Sequence, residues 1–136
     1  MKDLWPSDLK STELAPPVLI IQDQGAILAE RTKGRLRGRV EQAQAEANQF
    51  AFEFQIEAPT IGYTYVLFRI TYGIDFYPIQ IYPDEAIKKE ISHGGMRYVQ
   101  ADTEDEFVEI LSKILSATKT RRLISALLLQ IEHKSR

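Results

Sequence analysis

The 136-residue sequence contains no cysteine, and this absence excludes disulfide bridges, thiolate metal ligands and a cysteine nucleophile. Its two histidines, His93 and His133, do not stand at metal-ligand spacing. No apolar run approaches the roughly 20 residues of a membrane-spanning helix, and the opening residues MKDLWPSDLKSTEL lack the apolar centre of a signal peptide. We therefore expect a cytoplasmic protein with no metal site and no membrane contact.

An excess of charge of either sign is also missing. The chain has 17 lysines and arginines against 19 acidic residues, a formal charge of −2, so no overall field draws it to nucleic acid or to an anionic membrane. Glycine-rich phosphate loops, nucleophile elbows and dinucleotide fingerprints are absent as well. We expect no cofactor, and no motif assigns an enzymatic activity.

The length and composition are those of a globular domain. Hydrophobic residues make up 44% and charged residues 26% of the chain, and 136 residues are enough to bury a core. The first residues are polar and interrupted by Trp5-Pro6. We interpret residues 1–15 as an N-terminal arm and residues 16–136 as a single α+β domain.

Residues 50–82 predict a meander of antiparallel strands, because aromatic and β-branched residues alternate with polar ones. Successive side chains of a strand point to opposite faces, so each strand should have one apolar and one polar face. Turns are expected at residues 58–62 and 73–75, which contain proline and glycine. The predicted apolar positions are Phe50, Phe52, Phe54, Ile56, Val66, Phe68, Ile70, Tyr72, Ile79 and Ile81.

Two patterns compete between residues 17 and 32. A hairpin with its turn at residues 23–25 is one interpretation. The other, which we favour, is a helix that begins at a proline and whose apolar stripe is formed by Val18, Ile21, Gly25 and Leu28.

The C-terminal third predicts helices. Asp84 and Glu85 are typical of the start of a short helix, residues 96–101 predict a fifth strand, and residues 103–106 form a capping box. The helix opened by the capping box should end near residue 117. The broad apolar arc of the helix that follows predicts heavy burial.

These patterns together predict an α+β fold. We expect one N-terminal helix, an antiparallel meander of four to five strands and two C-terminal helices packed on one face of the sheet.

The polar face of the sheet is predicted to carry alternating charge. On the strand predicted here, Arg35, Arg37 and Arg39 point to one face, and Leu36 and Val40 point to the opposite face. If the apolar faces of neighbouring strands coincide, one workable register places Arg39 opposite Glu53 and Arg35 opposite Glu57, and Glu53 then also comes opposite Arg69. The same alternation puts tyrosine and leucine on this face at Tyr63, Tyr65, Leu67 and Tyr82.

We therefore hypothesise a non-catalytic binding module that acts through this outer face, with a protein partner or a second copy in a homodimer. Arginine and tyrosine are the residue types favoured at binding hot spots. The predicted contact residues are Arg35, Arg37, Arg39, Tyr65, Arg69 and Tyr82.

Two alternatives come from other classes. One is a small hydrolase or nuclease centred on His93 with Asp84 and Glu85, since histidine titrates near neutral pH. The other is nucleic-acid binding by the basic run between Arg31 and Arg39, which also includes Lys33. Glu41, Glu53 and Glu57 are available to neutralise that run, which favours a solvated strand face over a phosphate-binding strip.

Overall fold

The computed structural model describes residues 1–11, 14–92 and 94–134. The described residues form one five-stranded antiparallel sheet with its strands in sequence order, and helices before, within and after it. This architecture confirms the predicted α+β fold. The elements are α1 (Pro17–Arg31), β1 (Arg37–Gln42), β2 (Gln49–Ala58), a 3-10 turn (Pro59–Ile61), β3 (Tyr63–Gly73), β4 (Ile79–Pro83), α2 (Glu85–Ile91), β5 (Val99–Ala101), α3 (Glu104–Leu115) and α4 (Thr118–Lys134).

The core lies between one face of the sheet and the helices. On β2 and β3, Phe54 and Phe68 are buried opposite each other, and their rings stack with centroids 5.1 Å apart. Helix residues that reach this layer, such as Ile21, Phe107 and Ile114, have no exposed surface. We call this side of the sheet the covered face.

Helix α1 confirms the helical interpretation of residues 17–32, and it packs on β1 through two glycines. A Cβ atom at Gly25 would overlap the carbonyl oxygen of Gly38, and a Cβ atom at Gly38 would lie 2.5 Å from the ring of Phe54. The absence of side chains at both positions lets the helix approach the strand backbone directly. This contact fixes α1 over the β1 edge of the sheet.

A β-bulge at Leu67 reverses the alternation in the first half of β3. Phe54 pairs with Phe68, but the next residue of β2, Gln55, pairs with Val66, so Leu67 is the extra residue. Leu67 is fully buried and Val66 is 44% exposed. The predicted inward position of Val66 and outward position of Leu67 were therefore wrong.

The capping box predicted before α3 is formed in part, because the Glu106 carboxylate reaches the amide that precedes the N-cap residue Thr103. The Thr103 hydroxyl accepts a hydrogen bond from the Glu106 amide (3.2 Å), and the Glu106 carboxylate accepts one from the Asp102 amide (2.8 Å). The apolar arc of the last helix, α4, packs on the core, with Leu127 and Ile131 buried and Leu123, Ile124 and Leu128 half-buried. None of the helices in the described ranges combines the length and the apolar character that crossing a bilayer requires.

Candidate functional site

The two faces of the sheet have different surroundings. Helix α1 contacts the sheet at Gly38 of β1. Gly38 pairs with Ile56 of β2, and Ile56 pairs with Tyr65 of β3, so these three residues share one face. Lys119 of α4 lies over the Tyr65 ring on that same face. These contacts all lie on the covered face, and no helix of the described chain packs on the opposite side. We call that opposite side the open face. Its residues are Arg37, Arg39, Glu41, Ala51, Glu53, Gln55, Glu57, Val66, Arg69, Thr71, Gln80 and Tyr82. Ala51, Gln55, Glu57 and Thr71 are buried within this face.

At the β1 margin of the open face, two arginines share one carboxylate. The Nε atom of Arg37 donates to Oε1 of Glu57 at 2.6 Å, and Nη1 of Arg39 lies 3.5 Å from Oε2 of the same side chain. The Glu57 side chain is only 11% exposed, whereas those of Arg37 and Arg39 are 57% and 53% exposed. Each guanidinium group carries five N–H donors, so both retain donors that point to solvent.

The centre of the open face is organised around Arg69. Arg69 pairs across the strands with Glu53, as the sequence predicted. Its Nη2 atom donates to the carbonyl oxygen of Gln44 at 2.7 Å, so the loop between β1 and β2 folds back over this part of the sheet. Its Nε atom is buried and has no hydrogen-bond partner among the described residues. Arg69 therefore holds the loop in place and is half-buried.

At the β4 margin of the open face, Tyr82 and Tyr98 form a connected group with the side-chain amide of Gln80. The rings of Tyr82 and Tyr98 lie 5.6 Å apart, and the Tyr82 hydroxyl donates to Oε1 of Gln80 at 3.0 Å. The Thr71 hydroxyl donates to the same oxygen at 3.4 Å. Hydrogen bonds thus fix the direction of the Tyr82 ring on the surface.

The structure brings four of the six predicted contact residues together on the open face: Arg37, Arg39, Arg69 and Tyr82. Arg35 lies outside β1, in the turn after α1, where its Nε atom donates to the carbonyl oxygen of Thr32 at 3.1 Å. The predicted β1–β2 register was two residues off, since Arg39 lies opposite Gln55 and Arg37 opposite Glu57.

Tyr65 was predicted on the outer face and lies instead on the covered face, because the bulge at Leu67 turns it over. Its hydroxyl donates to Oδ2 of Asp84, and Nζ of Lys119 binds the same oxygen at 2.8 Å. The Lys119 ammonium also lies 5.2 Å from the centre of the Tyr65 ring. This cluster connects β3, the start of α2 and the start of α4.

The charges of this cluster stabilise one another. Burial raises the pKa of Tyr65, and its bond to Asp84 raises it further. Burial opposes ionisation of Asp84, but hydrogen bonds from Lys119, from Tyr65 and from the amides of Ala86 and Ile87 outweigh it and hold the pKa of Asp84 below 3.8. The bond to Asp84 in turn raises the pKa of Lys119.

These contacts bear on the hydrolase hypothesis. The Asp84 carboxylate caps α2 with Oδ1 and binds Lys119 and Tyr65 with Oδ2, so all of its partners are structural groups of the protein. The Glu85 side chain is 70% exposed and pairs with Lys88 at 3.5 Å. His93, the proposed centre, lies outside the described residues.

The basic run of the sequence is spread over three elements. Arg31 ends α1, Lys33 and Arg35 lie in the turn that follows, and Arg37 and Arg39 lie on β1. The run therefore does not form the single strand face from which the nucleic-acid hypothesis started.

Sequence reasoning missed a cleft of about 420 Å³ between α1 and the corner where α3 meets α4. Its lining residues come from α1, β2, α3 and α4, which are remote in sequence, so no local pattern signals it.

In the part of the chain that the structure describes, no group of three or more histidine, cysteine or acidic side chains is arranged to hold a metal ion. The open face and the cleft are thus the two surfaces on which a function can be argued. Comparison of the chain with protein-family models, with curated proteins and with solved structures finds no match.

Proposed function

We propose that this protein is a non-catalytic binding module whose open face contacts a protein partner. The observation that carries the proposal is the one-sided placement of the helices, which leaves a five-stranded sheet with one face free of helical cover in the described chain. Exposed arginines and a fixed tyrosine lie on that face, and these residue types dominate binding hot spots.

The contact surface has two margins. Arg37 and Arg39 form one, held in place by Glu57, and Tyr82 with Tyr98 forms the other. Side chains that are already fixed lose little conformational entropy on binding, which favours affinity. Arg69 supports the surface from within by holding the β1–β2 loop, and Arg35 and Tyr65 do not belong to the revised contact surface.

The charge of the open face favours a protein over a polyanion. Arg37, Arg39 and Arg69 supply three positive charges, and Glu41, Glu53 and Glu57 supply three negative ones, so the net charge is zero. A polyanion gains its affinity from uncompensated positive charge. A partner with acidic groups facing Arg37 and Arg39 matches this pattern better, and a second copy of the chain offers such groups in Glu41 and Glu53.

The proposal is tested by the double variant Arg37→Gln/Arg39→Gln. The matched control is Lys89→Gln/Arg122→Gln, which removes two exposed cations on helices α2 and α4. Affinity purification from the native cell and sedimentation velocity are measured for both. We expect the first variant to lose partner capture or self-association by about tenfold or more, as for loss of hot-spot arginines, while the control behaves as wild type.

Circular dichroism and thermal unfolding verify that both variants are folded. If the open-face variant captures the same proteins and sediments like wild type, the open face is not the contact surface. A shift from dimer to monomer would identify the partner as a second copy.

A further inference from the structure

The cleft between α1 and the α3–α4 corner is a separate feature on the helical side of the molecule. Its volume of about 420 Å³ lies within the range of small-molecule sites in proteins. Phe54 and Ile56 of β2 close its bottom and are each only 1% exposed, so the helices supply most of the accessible wall. The apolar residues that line it are Ile27, Leu28, Phe54, Ile56, Leu115 and Ile124.

The cleft continues as a groove along α1. A neighbouring depression of about 350 Å³ shares Gln24, Arg31, Leu115 and Ser116 with it. Arg31 therefore borders both parts, and the combined shape is elongated and mainly apolar.

The charged side chains that line the cleft are both positive. They are Arg31, at the end of α1, and Arg121, on α4; among the described residues, no acidic side chain lines the cleft. Within the described chain, Arg31 has no ion-pair partner. Hydrogen bonds from Thr118 lower the pKa of Glu90, and the nearby charge of Arg121 adds a smaller effect of the same sign.

The polar groups deeper in the cleft are satisfied by the protein itself. The Thr32 hydroxyl donates to the Leu28 carbonyl oxygen at 2.9 Å, and the Thr120 hydroxyl donates to that of Ile114 at 2.6 Å. A ligand therefore meets an apolar floor and two cationic groups at the rim, with no demand for further hydrogen bonds inside.

From this arrangement we infer that the cleft binds a single-chain anionic amphiphile, a hydrocarbon tail with a carboxylate or phosphate head group. The tail lies along Ile27 and Leu28 of α1 and Leu115 and Ile124 of the facing helices, and the head group accepts hydrogen bonds from Arg31 and Arg121. Guanidinium groups bind both anions through paired N–H donors. The inference is independent of the proposed function, because it concerns other residues on the other side of the sheet.

The test uses the full chain and three ten-carbon probes below their micelle concentrations: decanoate, decyl phosphate and decyltrimethylammonium. Calorimetric titration gives the affinity, and amide chemical shifts of Leu28 and Ile124 give the location. We expect one or both anionic probes to bind in the cleft and the cationic probe, which has the same tail, to bind far more weakly.

The variant Arg31→Gln/Arg121→Gln should weaken binding of the anionic probe by about tenfold or more, since each charge-assisted hydrogen bond is replaced by a neutral one. The control Arg97→Gln/Arg122→Gln should bind as wild type. Both pairs of arginines are exposed, so neither double variant disturbs the core. Equal affinity for the cationic probe, unchanged affinity in the first variant, or no binding of either anion overturns the inference.

The N-terminal arm is an alternative occupant of the cleft, and the test must distinguish it from an anionic amphiphile. Its Leu4, Trp5 and Leu9 are 85%, 75% and 66% exposed, and Trp5 is the single tryptophan of the chain. We expect tryptophan emission typical of a solvated indole, unchanged by decanoate. Blue-shifted emission together with no binding of either anion would identify the arm as the occupant and overturn the inference.

Discussion

The covered face and the open face are built from alternate residues of the same strands, yet different forces hold them together. On the covered face, buried aromatic and aliphatic side chains such as Phe54 and Phe68 pack against helices. On the open face, ion pairs such as Arg37 with Glu57 join an exposed guanidinium group to a carboxylate that is only 11% exposed. Burial of a large apolar side chain contributes about 1.5–3 kcal/mol, whereas an exposed ion pair contributes about 0–1 kcal/mol.

This difference indicates which face of the sheet is available to bind a partner. Residues of the covered face cannot change without loss of the core. We expect the exposed arginines of the open face, Arg37 and Arg39, to add little to stability, so they can be retained for contact. The predictions below test that division, beginning with the largest expected effect.

Truncation on the two faces should give very different losses of stability. Phe54→Ala removes a buried ring on the covered face, and we expect it to lower the free energy of unfolding by about 3–5 kcal/mol. Val66→Ala removes a side chain that is 44% exposed beyond the bulge and should cost less than about 1 kcal/mol. Urea unfolding of both variants measures the contrast. Similar losses would mean that the bulge does not separate the faces as described.

The contact between α1 and β1 should tolerate no added methyl group. In Gly25→Ala the new Cβ atom would overlap the Gly38 carbonyl, and we expect a net loss of about 2 kcal/mol from displacement of the helix. The control is Gly73→Ala, because a Cβ atom at Gly73 would meet no heavy atom within 4 Å. A stabilised Gly25→Ala variant, as helix propensity alone would give, would contradict the close packing.

The Tyr65–Asp84–Lys119 cluster should make stability depend on pH. The pKa of Asp84 is lowered by folding, so its contribution is present above pH 3.8, the ordinary value for its side chain, and is lost as the pH falls through the folded-state pKa. Asp84→Asn keeps a helix-capping side chain but removes the charge. We expect it to lower the free energy of unfolding at pH 7 by about 1–2 kcal/mol.

The difference between wild type and Asp84→Asn should shrink as the pH is lowered below 3.8, and denaturant unfolding between pH 7 and pH 2.5 measures it. Glu85→Gln, at an exposed neighbouring carboxylate, is the control and should stay close to wild type throughout. A difference that does not change with pH would show that the charge of Asp84 is not what stabilises the cluster.

The smallest effect is expected at the β1 margin of the open face. Arg39→Ala leaves Glu57 paired with Arg37, so the free energy of unfolding should change by about 0.5 kcal/mol or less. Thermal unfolding at low and high salt measures it. If Arg39→Ala lowered the free energy of unfolding more than Asp84→Asn does, the open face would be important for stability. That result would weaken the case for a contact surface.

The sequence predicted the fold because local patterns and global packing agree. The stripe of Ile21 and Gly25 and the capping box at Thr103 each fit their observed elements. The alternation of β2 through Phe54 and Ile56 also marked the covered face correctly. The same alternation rule assigned the wrong faces in the first half of β3. Tyr65, Val66, Leu67 and Phe68 are all apolar or aromatic, so the sequence pattern does not reveal the bulge.

The candidate site was predicted only in part, for a related reason. Alternation fixes a register only to within steps of two, since a shift of two residues leaves every side chain on its own face. The pairing of Glu53 with Arg69 was correct, whereas that of Arg39 with Glu53 was wrong because the β1–β2 loop sets Arg39 opposite Gln55. The cleft depends on the distance between helices that are remote in sequence, which no local pattern encodes.

The sequence by itself determined which segments form helices and strands and that one side of the sheet would be apolar, because these follow from the spacing of apolar residues along the chain. The tertiary structure alone decided that Tyr65 faces Asp84 and Lys119, and that Arg31 and Arg121 border one cleft. Those positions depend on the bulge at Leu67 and on the contact between Gly25 and Gly38. Both change which residues become neighbours only when distant segments of the chain pack together.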